Sequence, residues 1–270
     1  TCPDRPGIVH AITGGIVAAG GNITELQQFS SPDSGLFFTR IQVSGAGEQE
    51  LRNAISVTTT GFGARLRVDD ATRPLRTLIL ASKAGHAVND LLFRWQSGDL
   101  PVDIVRIMAN HQVLAPMAEF YEVPFTSRVV TKETKGEFED EIRRVVEEES
   151  IELVVLARYM QILSPELCEF LAWRAINIHH SFLPGFKGAK PYHQAYEKGV
   201  KLVGATAHYI NNDLDEGPII AQGVEVVDHS HYPEDLIAKG RDIEGLTLAR
   251  AVGYHIERRV FLNANRTVVL

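Results

Sequence analysis

Apolar residues recur along this chain in two different patterns, and the first pattern begins with a short amphipathic segment. Between residues 5 and 17, Ile8, Ile12 and Ile16 repeat every four residues and therefore fall on one face of a helix. The pair Gly20–Gly21 follows and marks the end of that helix. The first complete element is therefore predicted to be a short helix.

The next segments alternate between apolar and polar residues, which is the pattern of half-buried strands. Three such segments are predicted as strands: residues 22–30, 36–43 and 64–68. Residues 48–57 have the spacing of a second helix. The opening T-C-P-D-R-P-G is typical of the end of a strand, and we expect a few residues before Thr1 to complete it. Residues 1–69 are thus predicted to fold as αββαβ, or as βαββαβ with that strand.

A different pattern follows residue 69. Residues 70–74 are polar, end in a proline and are predicted to be a linker. Apolar runs are then nearly continuous, as in parallel strands buried on both faces, over residues 75–81, 102–110 and 151–157. Helical segments lie between them, over residues 88–95, 115–121 and 137–149. This alternation predicts right-handed βαβ units, so residues 75–270 should form an α/β domain around a doubly wound, mostly parallel sheet.

Composition narrows the range of partners. The 270 residues are 44% hydrophobic and 23% charged, which is typical of a globular protein with a substantial core. The net charge is −7 and no basic patch is visible, so we expect neither nucleic acid nor an acidic membrane surface as a partner. No signal peptide or membrane span is recognisable. Cys2 and Cys168 have no metal-type or disulfide-type spacing, which favours a reducing, cytoplasmic location.

Candidate chemistry lies at the end of the strand A-I-N-I-H, residues 175–179. Asn177 and His179 are two residues apart and therefore point to the same face of that strand. Open α/β sheets bind ligands at the carboxyl ends of their strands. Asp215 precedes Glu216-Gly217-Pro218, a turn that can present its carboxylate to the same edge. We expect these three side chains to meet there.

An amide, an imidazole and a carboxylate together suit attack on a carbonyl group. The amide donates a hydrogen bond to the developing oxyanion, and the imidazole transfers protons or stabilises charge. The carboxylate either orients the imidazole or relays a proton from water. Since no Ser or Cys is placed as a nucleophile, we expect direct transfer without a covalent enzyme intermediate.

A metal site is not expected. His179 and His180 are adjacent, so they face opposite sides of the strand, and no carboxylate or cysteine at ligand spacing completes a site. Other histidines are scattered along the sequence: His193, His208, His229 and His231. Lys187 and Lys190 either meet an acidic part of a ligand or are simply solvated.

Three ordered motifs give residues 75–270 a strong resemblance to the folate-dependent formyltransferase family. These are N-I-H-H-S-F-L-P-G-F-K-G from residue 177, G-A-T-A-H from residue 204, and D-L-D-E-G-P-I-I from residue 213. The resemblance implies that Asn177, His179 and Asp215 form the catalytic trio, with the histidine and aspartate 36 residues apart.

The same resemblance assigns residues 156–165, L-A-R-Y-M-Q-I-L-S-P, to the lining of a pteridine pocket. Met160, Ile162 and Leu163 would contact the folate, whereas from the pattern alone they are equally well explained as core residues. Members that bind a phosphorylated ribose have a glycine-rich loop after the first strand. Here that place reads A-S-K-A-G-H-A-V-N-D, with only Gly85 remaining, which argues against a ribonucleotide acceptor. His86 in this segment is a candidate to hold a substrate water.

The N-terminal segments C-P-D-R-P-G-I-V and G-G-N-I resemble the ACT domain, a βαββαβ, ferredoxin-like regulatory module. This resemblance implies an effector site for a small amino acid, formed by Asp4, Arg5 and Gly7 together with Asn22. It also implies assembly into a homo-oligomer. A purely structural or dimerising module is the alternative.

An ACT domain followed by a formyltransferase-type domain is similar, across the whole chain, to the formyltetrahydrofolate deformylases. The implied reaction is hydrolysis of 10-formyltetrahydrofolate to tetrahydrofolate and formate, which supplies formate for purine synthesis and balances the one-carbon folate pool. Neither a metal nor another cofactor is implied, because the folate is the substrate. Two alternatives stay open: a formyltransferase that acts on glycinamide ribonucleotide, and a non-catalytic regulator that binds folate or amino acids.

Overall fold

The computed structural model describes residues 1–185 and 191–270, and the chain divides into two compact units. Unit 1 comprises residues 1–73 and 257–270, and unit 2 comprises residues 74–256. The predicted second domain included residues 257–270, whereas the structure places this segment in unit 1. No helix in the described ranges is both long enough and apolar enough to cross a membrane.

Unit 1 contains a three-stranded antiparallel sheet in the order β1-β3-β2, two helices and a C-terminal hairpin. Its elements are β1 Cys2–Pro3, α1 Ile8–Ala18, β2 Asn22–Ser31, β3 Leu36–Ser44, α2 Glu48–Thr58, β11 Val260–Asn263 and β12 Arg266–Val269. The opening of the chain is indeed a strand, paired with β3. Ile16 of α1 and Leu51 and Ile55 of α2 form a buried cluster, so the apolar faces of both helices are covered.

Residues 64–68, predicted as a strand, form none in the structure. Arg65 exchanges two backbone hydrogen bonds with Thr1, of 2.8 and 3.1 Å. The ladder does not extend because β1 has only two residues. Leu66 and Val68 nevertheless pack against the cluster of α1 and α2. The alternation in this segment therefore reflects side-chain packing on one side of an extended chain.

The C-terminal hairpin belongs to unit 1 because its side chains contact β2 and β3. The ring of Phe261 packs edge-on against Phe38, with centroids 5.8 Å apart. The buried amide of Asn263 donates a 3.0 Å hydrogen bond to the Ser31 hydroxyl. Sequence spacing cannot show that residues more than 200 positions apart share one core.

Unit 2 is a seven-stranded sheet in the order β10-β9-β8-β7-β4-β5-β6. Its elements are β4 Leu75–Ala81, α3 His86–Ser97, β5 Val102–Ala109, α4 Ala115–Phe120, β6 Phe125–Ser127, α5 Lys135–Glu148, β7 Leu153–Ala157, α6 Pro165–Phe170, β8 Ala175–His179, α7 Pro191–Glu197, β9 Leu202–Tyr209, β10 Ile219–Val226 and α8 Pro233–Ile256. The five strands from β8 to β6 are parallel, β9 pairs antiparallel with both β8 and β10, and β10 forms one edge of the sheet. The predicted doubly wound, mostly parallel sheet is confirmed.

The order of the strands reverses beside β4. The chain runs from β4 to β5 and β6 on one side, then returns to β7 and β8 on the other. Crevices outside the carboxyl ends of strands at such a reversal are the usual ligand sites of open α/β sheets. The ends of β4, β7 and β8 are therefore the edge at which a site is expected.

Helix α8 packs directly on β10 at a glycine, and this contact can be tested. A Cβ added to Gly223 would lie 2.3 Å from the Thr247 hydroxyl and 2.7 Å from Cγ2 of Ile243. Gly223→Ala should therefore destabilise the protein by about 1–3 kcal/mol through overpacking. Gly253→Ala is the control, since a Cβ there meets nothing within 4 Å and a helical alanine is favoured by about 1 kcal/mol. Equal urea midpoints for the two variants would contradict the close packing.

Candidate active site

The three residues predicted to act together do meet at the carboxyl edge of the sheet. Asn177 and His179 lie in the last three residues of β8, and Asp215 lies in the connection between β9 and β10. Nδ1 of His179 is 3.1 Å from Oδ2 of Asp215. His179 is only 5% exposed. The placement expected from the order of strands and helices is therefore observed, while the roles of the three residues remain predictions.

Asp215 reaches His179 because its turn folds back tightly onto β9. Its backbone is left-handed, with φ of 58°, a conformation that aspartate tolerates better than most residues. Two residues later, a Cβ on Gly217 would lie 1.6 Å from the carbonyl oxygen of Tyr209. Only glycine permits this approach. The D-E-G sequence therefore meets two requirements: Asp215 supplies the carboxylate, and Gly217 permits the tight turn.

The environment keeps Asp215 ionised. Burial opposes the charged form, but the hydrogen bond and charge interaction with the imidazole of His179 outweigh it and hold the pKa of Asp215 well below its usual range. A carboxylate at this position accepts the Nδ1–H of His179 and so selects that tautomer of the ring. The other ring nitrogen of His179, Nε2, is buried and has no hydrogen-bond partner among the described residues. It is the atom available for proton transfer.

His208 is a site residue that sequence reasoning missed. It lies opposite Asn177 in the pairing of β8 with β9, and its Nε2 is 3.2 Å from Nδ2 of Asn177. Its Nδ1 is 2.8 Å from the Tyr209 carbonyl oxygen, which can only accept, so Nδ1 carries a proton. Nε2 then accepts from the Asn177 amide, which fixes the orientation of that amide. The G-A-T-A-H motif was the available signal, but only the strand register reveals the contact.

The loop after β7 carries the three apolar residues that were predicted to line the folate pocket, and the structure places them differently. Met160 and Ile162 are 57% and 63% exposed, as apolar side chains at a binding surface would be. Leu163 instead packs against the buried core cluster. The loop is tethered at both ends: the Met160 N–H donates to the Ser82 hydroxyl at 2.9 Å, and the Ser164 N–H donates to the buried Glu139 at 3.0 Å.

His86 belongs to a second buried cluster. Its Nε2 is 2.7 Å from Oε2 of Glu244 on α8, so its side chain pairs with this glutamate and not with a member of the trio. Arg158, which follows β7, and Tyr192 also contact Glu244. His180 lies beside both groups, with its ring centroid 5.1 Å from that of His179 and 6.3 Å from that of Tyr192. Lys187 and Lys190 lie outside the described residues.

The predicted effector residues occupy the two ends of α1. Asp4 and Arg5 lie in the exposed turn before the helix, and the Arg5 guanidinium stacks 4.1 Å from the Phe62 ring centroid. Gly7 caps the helix with φ of 93°, so a left-handed backbone, rather than close approach of another group, explains the glycine. Asn22 begins β2 beyond the other end of this 11-residue helix, which is about 16 Å long. One copy of the chain does not bring these parts together.

No group of three or more His, Cys, Asp or Glu side chains within residues 1–185 and 191–270 is arranged to hold a metal ion.

An α/β sheet with an amide, an imidazole and a carboxylate at its carboxyl edge defines a catalytic domain of the formyltransferase type. Residues 75–252 match the formyl transferase family, and residues 1–57 match the ACT domain. The solved glycinamide ribonucleotide transformylase 1 from Symbiobacterium toebii shares 25% sequence identity, covering 77% of this chain and 99% of that one with a TM-score of 0.69.

Relatives that span both units narrow the assignment. The formyltetrahydrofolate deformylase of Corynebacterium sp. (strain P-1) is 47% identical, covering 100% of this chain and 96% of that protein. The one from Escherichia coli (strain K12) is 39% identical over the same shares. The crystal structure of a formyltetrahydrofolate deformylase from Pseudomonas putida KT2440 has 55% identity, 100% and 97% coverage and a TM-score of 0.93. The chain belongs to the formyltetrahydrofolate deformylase family.

The electrostatics of the edge give a testable titration. Burial, followed by the positive charge of Arg158 and the neighbouring His179, lowers the pKa of His180 to about 4. Since protonation is disfavoured in the folded state, His180 should stay neutral from pH 8 to 5. Its Cε1–H NMR signal, assigned by its loss in His180→Gln, should be constant over that range. In Arg158→Gln the titration should move to higher pH. A wild-type midpoint between 6 and 7, the range of an ordinary histidine, would contradict the burial.

Proposed function

We propose that this chain hydrolyses 10-formyltetrahydrofolate to tetrahydrofolate and formate. The observation that carries the proposal is the pairing of His179 with an ionised Asp215 beside Asn177, at the carboxyl edge of the sheet. Full-length relatives named for this activity support it. The trio supplies an oxyanion donor, a proton carrier and a fixed negative charge, so the reaction needs neither a metal nor a redox cofactor.

In the first step, water attacks the formyl carbon of the substrate. Nε2 of His179 takes a proton from that water as the carbon–oxygen bond forms. Asp215 accepts the Nδ1–H of the same ring and stabilises the imidazolium that results. Asn177 already gives one N–H to His208, so its second N–H is available to the oxyanion. A tetrahedral intermediate is thereby formed without a covalent bond to the enzyme.

In the second step, the intermediate collapses and the bond from carbon to N10 of the folate breaks. The imidazolium returns its proton to N10, which leaves as the neutral amine of tetrahydrofolate. The formyl carbon departs as formic acid, which releases its acidic proton to solvent and becomes formate. His179 and Asp215 regain their starting protonation states, so one water is consumed in each turnover.

The segment after β4 supports water rather than a phosphorylated amine as the acceptor. Gly85 caps α3, but a Cβ there would lie 2.9 Å from Cε of Met117 and 3.1 Å from Cδ2 of Leu114. The glycine therefore allows side chains of the same domain to pack closely. A glycine that serves packing does not provide the exposed backbone N–H cradle that a phosphate needs.

Removal of the trio's polar groups should affect turnover more than binding. His179→Ala should lower kcat roughly 10²–10⁴-fold, the scale of a lost acid–base group, with little change in folate affinity. Asn177→Ala should cost on the order of 10²-fold as a lost oxyanion donor. Stopped-flow turnover and equilibrium folate binding measure the two effects. His229→Ala, an exposed histidine, serves as the control, and near-normal turnover in either site variant would refute the assignment.

The choice of acceptor can be tested directly. Formate release from 10-formyltetrahydrofolate should proceed at the same rate with and without added glycinamide ribonucleotide. A coupled formate assay and chromatography of the ribonucleotide follow both products. Formylated ribonucleotide as the main product, with only traces of formate, would establish a transferase instead. Absence of turnover with intact folate binding would favour the non-catalytic regulator.

Unit 1 is proposed to bind a small amino acid and to pair with a second copy of the chain. The two parts of the predicted effector site lie at opposite ends of α1, so a site using both requires a partner chain. Strand β2 forms an outer edge of the three-stranded sheet and can pair with its counterpart. The buried thiols Cys2 and Cys168 are both free, which supports a cytoplasmic enzyme. There it would supply formate for purine synthesis.

Self-association should be visible in solution. Light scattering at micromolar concentration should give at least twice the mass of one chain. Thr24→Pro on β2 removes an edge N–H and should shift the mass toward a monomer. A clean monomer of the unaltered protein would contradict pairing through this edge.

A further inference from the structure

The second buried cluster, around Glu244, is not used by the mechanism above. Glu244 lies on α8 and is 1% exposed. Tyr192 donates its hydroxyl to Oε1 at 2.9 Å, and Nε2 of His86 lies 2.7 Å from Oε2. The Nε atom of Arg158 is 3.4 Å from the same oxygen. A Cβ on Gly240, one turn before Glu244, would lie 2.0 Å from the Tyr192 hydroxyl. The helix surface is therefore shaped to admit Tyr192.

The cluster adjoins the candidate active site through neighbouring strand ends. Leu156 of β7 is paired in register with Asn177 of β8. Two residues further along the chain are Arg158, directly after β7, and His179, the last residue of β8, so both lie at the carboxyl edge. Arg158 leaves the strand with φ of 61°, a left-handed conformation that is uncommon for this residue type. Such strained positions persist where the surrounding structure fixes them and are frequent at functional sites.

The guanidinium of Arg158 has hydrogen-bond donors that lack partners among the described residues. Its Nε and Nη1 are buried and have no hydrogen-bond partner among the described residues. The Glu244 carboxylate lies 3.4 Å from Nε of Arg158 and balances the charge of the guanidinium, but the pair does not have the geometry of a hydrogen bond. His86 and Tyr192 already occupy that carboxylate. Buried donors normally have partners, so an oxygen ligand is expected at this group. A guanidinium with free N–H groups matches a carboxylate, which it binds in a bidentate manner.

We propose that Arg158, positioned by Glu244, binds the formate anion as it forms beside His179. This inference rests on the proposed hydrolysis, which generates a carboxylate at the formyl carbon. Breakage of the bond to N10 releases formic acid, and when this acid loses its proton the negative charge spreads over both oxygens of formate. The Arg158 guanidinium donates to these oxygens. The ring of His180 packs against that of His179 and stays neutral, so Arg158 rather than His180 supplies positive charge at this edge. The glutamate tail of the folate is the other carboxylate that could bind here.

Direct binding of [¹³C]formate to the resting enzyme, followed by NMR line broadening, tests the proposal without turnover. Formate should bind saturably to the unaltered protein. In Arg158→Gln its dissociation constant should rise about 10-fold or more, because a bidentate charged pair is lost. Arg158→Lys should give an intermediate value, since it keeps the charge and loses the fork. Arg106→Gln, which breaks a comparable pair with Glu149 elsewhere in unit 2, should leave formate binding unchanged.

A parallel titration with p-aminobenzoylglutamate separates the two carboxylates. If Arg158→Gln weakens the binding of this compound and not the binding of formate, the site belongs to the glutamate tail and the proposal fails. It also fails if formate does not bind, or binds equally to wild type and Arg158→Gln. Circular dichroism checks the fold, and Arg158→Lys provides a milder variant if the glutamine protein does not fold. Failure of the hydrolysis itself would appear separately, as absence of formate release with formate binding intact.

Discussion

The candidate active site depends on one close approach, that of Gly217 to the carbonyl oxygen of Tyr209. A side chain at this position would overlap that oxygen, with a Cβ only 1.6 Å away. Because glycine permits the contact, the turn folds back onto β9 and brings Asp215 to the end of β8. The carboxylate then accepts the Nδ1–H of His179 and so selects that tautomer of the ring. The hydrogen-bonding geometry of the proposed reaction thus follows from a backbone constraint.

Two buried carboxylates organise the edge of the sheet in different ways. Asp215 pairs with His179, and this interaction lowers the pKa of Asp215 despite its partial burial. Glu244 is more deeply buried, and its pKa is also lowered, although burial opposes this, by His86, Arg158 and Tyr192. An unpaired buried charge would be strongly unfavourable, so each carboxylate requires its partners. The first carboxylate pairs with His179 at the end of β8, and the second contacts side chains beside the neighbouring strand end.

In unit 1, alternation of apolar and polar residues does not always indicate a strand. Residues 64–68 alternate like a strand because Leu66 and Val68 face a core. They form no ladder, since the strand beside them is two residues long. The hairpin at the end of the chain was assigned to the wrong unit by position in the sequence. Its Phe261 and Asn263 find their partners on β2 and β3, a choice made by packing and hydrogen bonding.

The sequence by itself determined that the second unit is built on a mostly parallel α/β sheet. It also determined which edge of that sheet carries the candidate site and which three residues meet there. Alternation, continuous apolar runs and turn chemistry are local properties, and the convergence of strand ends is a general property of parallel sheets. Only the tertiary structure decided that His208 contacts Asn177 and that His86 and Arg158 both contact Glu244. These contacts depend on strand register and on the packing of α8, which join residues between 20 and 160 positions apart. No local pattern specifies contacts between residues so far apart in the sequence, because these contacts depend on the packing of the whole core.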